Sequence, residues 1–183
     1  MLFRSVVGIR PLYGGTDHLL EHGLLGTHVT FTDVHGLPAA MTEHTGLVVI
    51  ESPGNPTLDL IDIAEVARIA GDVPVMVDNT FATSVLQHPL ELGAAFSVHS
   101  ATKYIGGHGD AMGGVVITSA AHAQALRQDP QFPANGFFAQ GKENLGREVT
   151  VLDHYCMLSR AAEHTADRWS WFVQGTNKWA ALM

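Results

Sequence analysis

Apolar and polar positions along the chain follow two rhythms. Short apolar runs, HVTFTDV (28–34), GLVVIES (46–52), VPVMVD (73–78), AAFSVHS (94–100) and GGVVITS (113–119), have the length and β-branched content of strands. Between them, DLIDIAEVARIA (59–70) places apolar residues at 60, 61, 63, 64 and 67, the spacing of a helix buried on a broad face. Asp59 is placed to cap its start and Gly71 to stop it. AAHAQALRQ (120–128) reads as another helix. Strands that are continuously apolar are covered on both faces, so the pattern predicts an α/β fold: a mainly parallel sheet with helices on both faces. Near residue 129 the rhythm lapses. DPQFPANGFFAQGKENLG is loop-like, and LGREVTVLDHYCMLSRAAEHTADRWSWF carries an irregular helical stripe. The expected division is a sheet domain over 1–128 and a divergent, helical tail over 129–183.

Glu51, Asp78 and Ser100 each stand at or just past the carboxyl end of a predicted strand. That is the edge at which open α/β sheets bind ligands. The formal net charge of −8 repels phosphate backbones, so nucleic acid is not an expected partner. No apolar run has the length of a membrane span, and the start has neither the h-region nor the small-residue site of a signal peptide. Cys156 stands alone, which suits a reducing compartment, and the expected location is the cytoplasm.

Lysine is scarce: Lys103 is the only one before Lys142. It follows an apolar run, has hydroxyls at Ser100, Thr102 and Tyr104 beside it, and precedes Gly106, Gly107 and Gly109. A lysine amine attacks a carbonyl only when neutral, and desolvation or nearby positive charge can make it so. Ser100 and Thr102 offer hydroxyl donors to a phosphate. Asp78, at another strand's end, could keep a pyridine nitrogen protonated. A Schiff-base lysine with such an aspartate is what proteins contribute to pyridoxal phosphate chemistry. A solvated loop lysine is the plain alternative.

Four collinear stretches carry a family likeness: PLYGGT (11–16), VVIESPGNPTLDLIDI (48–63), VDNTFATSVLQHPLELGA (77–94) and HSATKYIGGHGDAMGGVV (99–116). With them the chain resembles, over roughly residues 10–128, the Cys/Met metabolism (trans-sulfuration) family of pyridoxal-phosphate enzymes: cystathionine γ-synthase, cystathionine β- and γ-lyases, methionine γ-lyase and the O-acyl-homoserine sulfhydrylases. The resemblance implies the large cofactor-binding domain of fold type I enzymes, pyridoxal 5'-phosphate as cofactor, and elimination or replacement at Cβ or Cγ of a small amino-acid substrate. It implies that Lys103 forms the Schiff base and moves protons, that Asp78 pairs with the ring nitrogen, and that Tyr13 stacks on the ring and assists proton transfer. Ser100 and Thr102 would bind the phosphate, Asn55 would lie near the ring hydroxyl, and Glu51 would stand on the same rim. Thr57 and Asp59 fit helix entry, and His108 and Asp110 fit a role in ordering the loop after Lys103. The family is homotetrameric, with active sites at a dimer interface.

The likeness also has departures. Gly15 stands where methionine γ-lyases carry a cysteine, which weakens that member assignment in particular. The family's upstream segment and its small C-terminal domain have no counterpart, and 129–183 does not follow the pattern. These departures predict a fragment, for which a catalytically inactive cofactor domain is the alternative to an active enzyme. A remote alternative rests on HLLEH (18–22), whose spacing matches inverted zinc peptidases; on a helix His18 and His22 share a face. Among eleven histidines such spacing arises readily by chance, and no third ligand is evident.

Overall fold

The computed structural model describes residues 5–107, 113–128, 137–140 and 149–153. His108, Gly109 and Asp110, and the helix expected beyond Asp153, lie outside them. The chain divides into two compact units, Met1–Val98 and His99–Met183.

The first unit is built from β1 (Ser5–Ile9), α1 (Gly14–Glu21), β2 (His28–Thr32), α2 (Leu37–Ala40), β3 (Thr45–Glu51), α3 (Ile63–Ala70), β4 (Val75–Asp78), α4 (Thr83–Leu86), a 3₁₀ turn (Pro89–Leu92) and the start of β5 (Phe96–Ser100). The strands are parallel, in the order β2-β1-β3-β4-β5. β3 lies between two neighbours and is buried at all but one of its residues, which is why it reads as an unbroken apolar run. One core gathers Val7 and Ile9 of β1, Val48 and Ile50 of β3, Val75 and Val77 of β4, and Ile63, Val66 and Ala70 of α3. The last three recur at the spacing of one helix face.

α3 is shorter than the sequence pattern predicts. Its cap is Asp62, whose Oδ1 accepts from Glu65 N at 3.0 Å. Asp59 is instead occupied by the Thr57 hydroxyl at 2.6 Å. The residues before the helix are bound to the loop after β3: Gly54 N donates to Asp59 O, and Ile61 N donates to Ser52 Oγ. Backbone committed there cannot start a helix. Gly71 ends the helix as expected, with φ +59 and its N–H on Ala67 O.

Several elements of this unit escaped the sequence pattern, among them β1, α1 and the short turns of helix α2 and α4. SVVGI (5–9) is the strand β1, and Gly8 within it leaves room for the Phe31 ring, which a Cβ would meet at 3.0 Å. α1 opens at Tyr13, and its position is fixed by Arg10. The guanidinium forks onto Asp17 at 2.7 and 3.0 Å, reaches Glu21 at 3.3 Å, and lies 3.7 Å from the centre of the Phe31 ring.

The second unit takes up the chain within β5 and continues through a helical turn (Ala101–Ile105), β6 (Gly114–Thr118), α5 (Ala120–Gln128), β7 (Phe137–Gln140) and β8 (Val149–Asp153). β8 pairs antiparallel with both β6 and β7. FFAQ and VTVLD therefore form strands, where the sequence pattern suggested loop and helix. β-branched Val and Thr alternate in VTV, a period the helical reading of the longer stretch passed over. Among the described residues no helix is long and apolar enough to cross a membrane.

Candidate active site

In the first unit the carboxyl ends of β3 and β4 are aligned, with Glu51 opposite Asp78 in register. The Glu51 side chain is 4% exposed. Its carboxylate accepts the backbone N–H of Tyr13 on one oxygen and that of Asn55 on the other, the latter at 3.0 Å. One carboxylate thus ties together the two loops that bear Tyr13 and Asn55. Burial pushes the Glu51 carboxyl up from its ordinary value; the Tyr13 N–H pulls it down, the Asp78 charge pushes it up, and the Asn55 N–H pulls it down. Sequence placed Glu51 on the rim as a cofactor contact. In the fold its contacts bracket the two neighbouring loops.

Asp78 is partly buried at the end of β4. Its Oδ1 accepts both the N–H of Thr80 at 3.0 Å and the Thr80 hydroxyl at 2.6 Å. The Tyr13 side chain is 49% exposed. Gly15 gives its ring room: a Cβ there would stand 2.7 Å from Tyr13 Cε1.

In the second unit Ser100 is the last residue of β5 and is followed by a wide helical turn, in which Gly106 N donates to Ala101 O at 2.7 Å. Such a five-residue closure is a single π-type turn, a form frequent at functional sites. Gly106 is required: a Cβ would meet Ala101 O at 2.7 Å. Lys103 stands in the middle of the turn with its side chain exposed and its backbone out of the helical path (φ −88, ψ −115). Thr102 has backbone partners that the sequence did not reveal. Its hydroxyl donates to Gly113 O at 3.3 Å and accepts from Gly113 N at 2.9 Å, so its hydrogen is directed at backbone.

Taken unit by unit, the donors suit the parts of a phosphorylated pyridine aldehyde. In the first unit a carboxylate anchored at a strand end suits a ring nitrogen, and an accessible aromatic ring suits stacking. In the second an accessible primary amine suits an aldehyde. Sequence reasoning missed Thr80, Asn79, Gln87 and Arg10. The Asp-x-Thr spacing of residues 78–80 was the available signal, because an aspartate commonly accepts from the backbone two residues on.

Two other places carry less chemistry. HLLEH does lie on α1, continuing to its C-cap, and the rings of His18 and His22 are 4.1 Å apart. Glu21 is engaged by Arg10, and among the described residues no group of three or more His, Cys, Asp or Glu side chains could hold a metal ion. A groove at the amino ends of β1, β2 and β3, lined by residues such as Ser5, His28, Thr42 and His44, lies at the sheet edge away from Asp78.

The sequence profile of the family described as "Cys/Met metabolism PLP-dependent enzyme" matches residues 4–159. The likeness therefore runs on past residue 128, where sequence reading ended it. An L-methionine gamma-lyase of Brevibacterium aurantiacum is 58% identical over 161 residues, covering 88% of this chain and 39% of that protein. One of Streptomyces avermitilis is 55% identical over 128 residues, 70% of this chain and 31% of that protein. Both bear the member name that Gly15 was expected to weaken. A solved structure titled cystathione gamma lyase (CalE6) from Micromonospora echinospora is 42% identical, with a TM-score of 0.62, and the match covers 67% of this chain and 34% of that one. The chain thus spans about two fifths or less of the length of these relatives.

Proposed function

The chain belongs to the Cys/Met metabolism family of PLP-dependent enzymes, and on that premise we propose that it serves pyridoxal-phosphate-dependent elimination or replacement at Cβ or Cγ of sulfur-containing or O-acyl-homoserine amino acids. Carbon–sulfur bond cleavage on methionine is the member reaction we favour, since relatives at 58% and 55% identity are methionine gamma-lyases. The observation that carries the reading is the pairing of Glu51 and Asp78 at the carboxyl ends of β3 and β4, with Glu51 drawing in the loops of Tyr13 and Asn55. For the whole protein we assign the family's homotetramer, with active sites at a dimer interface, and the cytoplasm.

When bound, pyridoxal phosphate supplies an electron sink for the charge left at the substrate's Cα. Lys103 would hold the cofactor through its aldehyde. Freed when the substrate's amino group takes its place, its Nζ would take the proton from Cα, pass it on to the cofactor and, for a γ-reaction, then take a second one from Cβ. Asp78 would hold the proton on the ring nitrogen. Tyr13 would stack on the ring and assist proton transfer. Asn55 would lie near the ring hydroxyl, and Ser100 would donate to the phosphate. Thr102 is assigned to the phosphate too, at the expense of its bond to Gly113 O.

The test is chemical. The chain is mixed with pyridoxal phosphate, reduced with borohydride and digested, and the labelled lysine is mapped. Label on Lys103, and release of a thiol from methionine by a separate unreduced sample, are the expected results. Label confined to Lys142 or Lys178 refutes the assignment. A second reading, an inactive cofactor domain that holds pyridoxal phosphate only weakly, is favoured by Thr102, whose hydroxyl hydrogen already serves Gly113 O. Label on Lys103 with no thiol released would select it.

A further inference from the structure

The loop that follows Asp78 is closed on itself by amide side chains. Asn79 is fully buried, and its Nδ2 donates to Thr83 O at 3.1 Å and to Gln87 O at 2.9 Å. Its Oδ1 accepts from Gln87 Nε2 at 2.8 Å. The same Nε2 donates to Ser52 O, also at 2.8 Å. Ser52 follows Glu51 in the chain, and its N–H donates to Asp78 O. The bonds form a ring running from Asp78 through Ser52, Gln87 and Asn79 back to Asp78. Gln87 staples the loop 79–87 to the end of the neighbouring strand. Within that loop sits Thr80, which holds Asp78 Oδ1 with two donors.

We propose that Gln87 is a positioning residue for the Asp78 carboxylate, acting through Asn79 and Thr80. The inference rests on the reading that Asp78 serves the ring nitrogen of pyridoxal phosphate. The residue type follows from the acceptors. Ser52 O and Asn79 Oδ1 both need a hydrogen from one atom, and only a group with two N–H bonds on that atom serves both. An ionised glutamate has no hydrogen to give and sets a charge against two oxygens. A leucine fills the space and leaves both oxygens without their donor. In either case the loop loses its staple, and Thr80 no longer sets the carboxylate's direction.

The experiment uses the full chain with pyridoxal phosphate as the probe. Cofactor Kd and the pH midpoint of the bound-cofactor absorbance band are measured for the wild type, Asp78→Asn, Gln87→Leu and Gln87→Glu. The thermal midpoint of each cofactor-free protein is recorded beside them. Asp78→Asn is expected to move the pH midpoint. Gln87→Leu and Gln87→Glu are expected to move it in the same direction by less, and to raise Kd about tenfold, the scale of one misdirected charge-assisted hydrogen bond. Thr80→Val is expected to behave like the Gln87 variants, and Thr80→Ser like the wild type. This pair keeps the test open should the Gln87 variants fail to fold. A shifted midpoint in Asp78→Asn, with wild-type values in Gln87→Leu and Thr80→Val, overturns the proposal and leaves the Asp78 reading standing. An unmoved midpoint in Asp78→Asn, or no binding by the wild type, overturns that reading and the proposal with it.

Discussion

Glu51 concentrates two opposing demands in one side chain. It is buried, which disfavours its charge, and it accepts two backbone N–H groups, which favour it. The net direction is upward, so the folded state keeps its proton to a higher pH than the unfolded chain does. The sign of the linkage follows. This contribution to stability is fully present below the unfolded value, about 4.3. It is lost as pH rises through the folded value. Glu51→Gln should therefore unfold with a flatter pH dependence than the wild type, a difference readable from urea midpoints between pH 4 and about 8. At Gly15 a different outcome is expected. The added Cβ of Gly15→Ala meets the far end of a half-exposed ring, which can swing away, and alanine is the better helix former by about 1 kcal/mol. The thermal midpoint should hold or rise while the near-UV signal of Tyr13 changes. Glu51 and Asp78 were legible in the sequence as the polar last residues of apolar runs. The Gln87 staple was not, because it joins side chain and backbone 35 positions apart and needs the loop closed before it exists.

At the scale of elements, the strands easiest to read were the ones hardest to reach by solvent. β3 and β4 announce themselves by unbroken apolar runs because neighbours flank them. β1 was hidden by Gly8 and by its place in a stretch that read as a chain start, although its residues from Val6 to Ile9 are all buried. β8 was hidden by a weak helical period that tertiary pairing overrode. The start of α3 failed for a local reason, since Asp59 and Asp62 are both capping residues in the right place. Their roles separate by mutation. Asp62→Ala should cost about 1 kcal/mol, the usual worth of a cap, and Asp59→Ala should leave the helix intact. Ile63→Ala should cost about 2–5 kcal/mol, because its side chain is 2% exposed in the main core. Urea denaturation of the three variants checks the order.

For the molecule as a whole, fold class was the most legible property. Alternation of apolar strands with helices requires a covered parallel sheet whatever the details of its loops, and the first unit has one. Charge acts at this scale too. With a net charge of −8 at pH 7 and an isoelectric point near 5.7, self-repulsion fades on mild acidification. Light scattering across pH should show a solubility minimum close to 5.7. The Glu51 bracket has a practical reach beyond its own strand. Anyone transplanting the Tyr13 segment or the Asn55 segment into another scaffold would be moving half of a hinge without its pin. The three must travel together, and libraries that randomise either segment while also varying position 51 will score their combinations as epistatic.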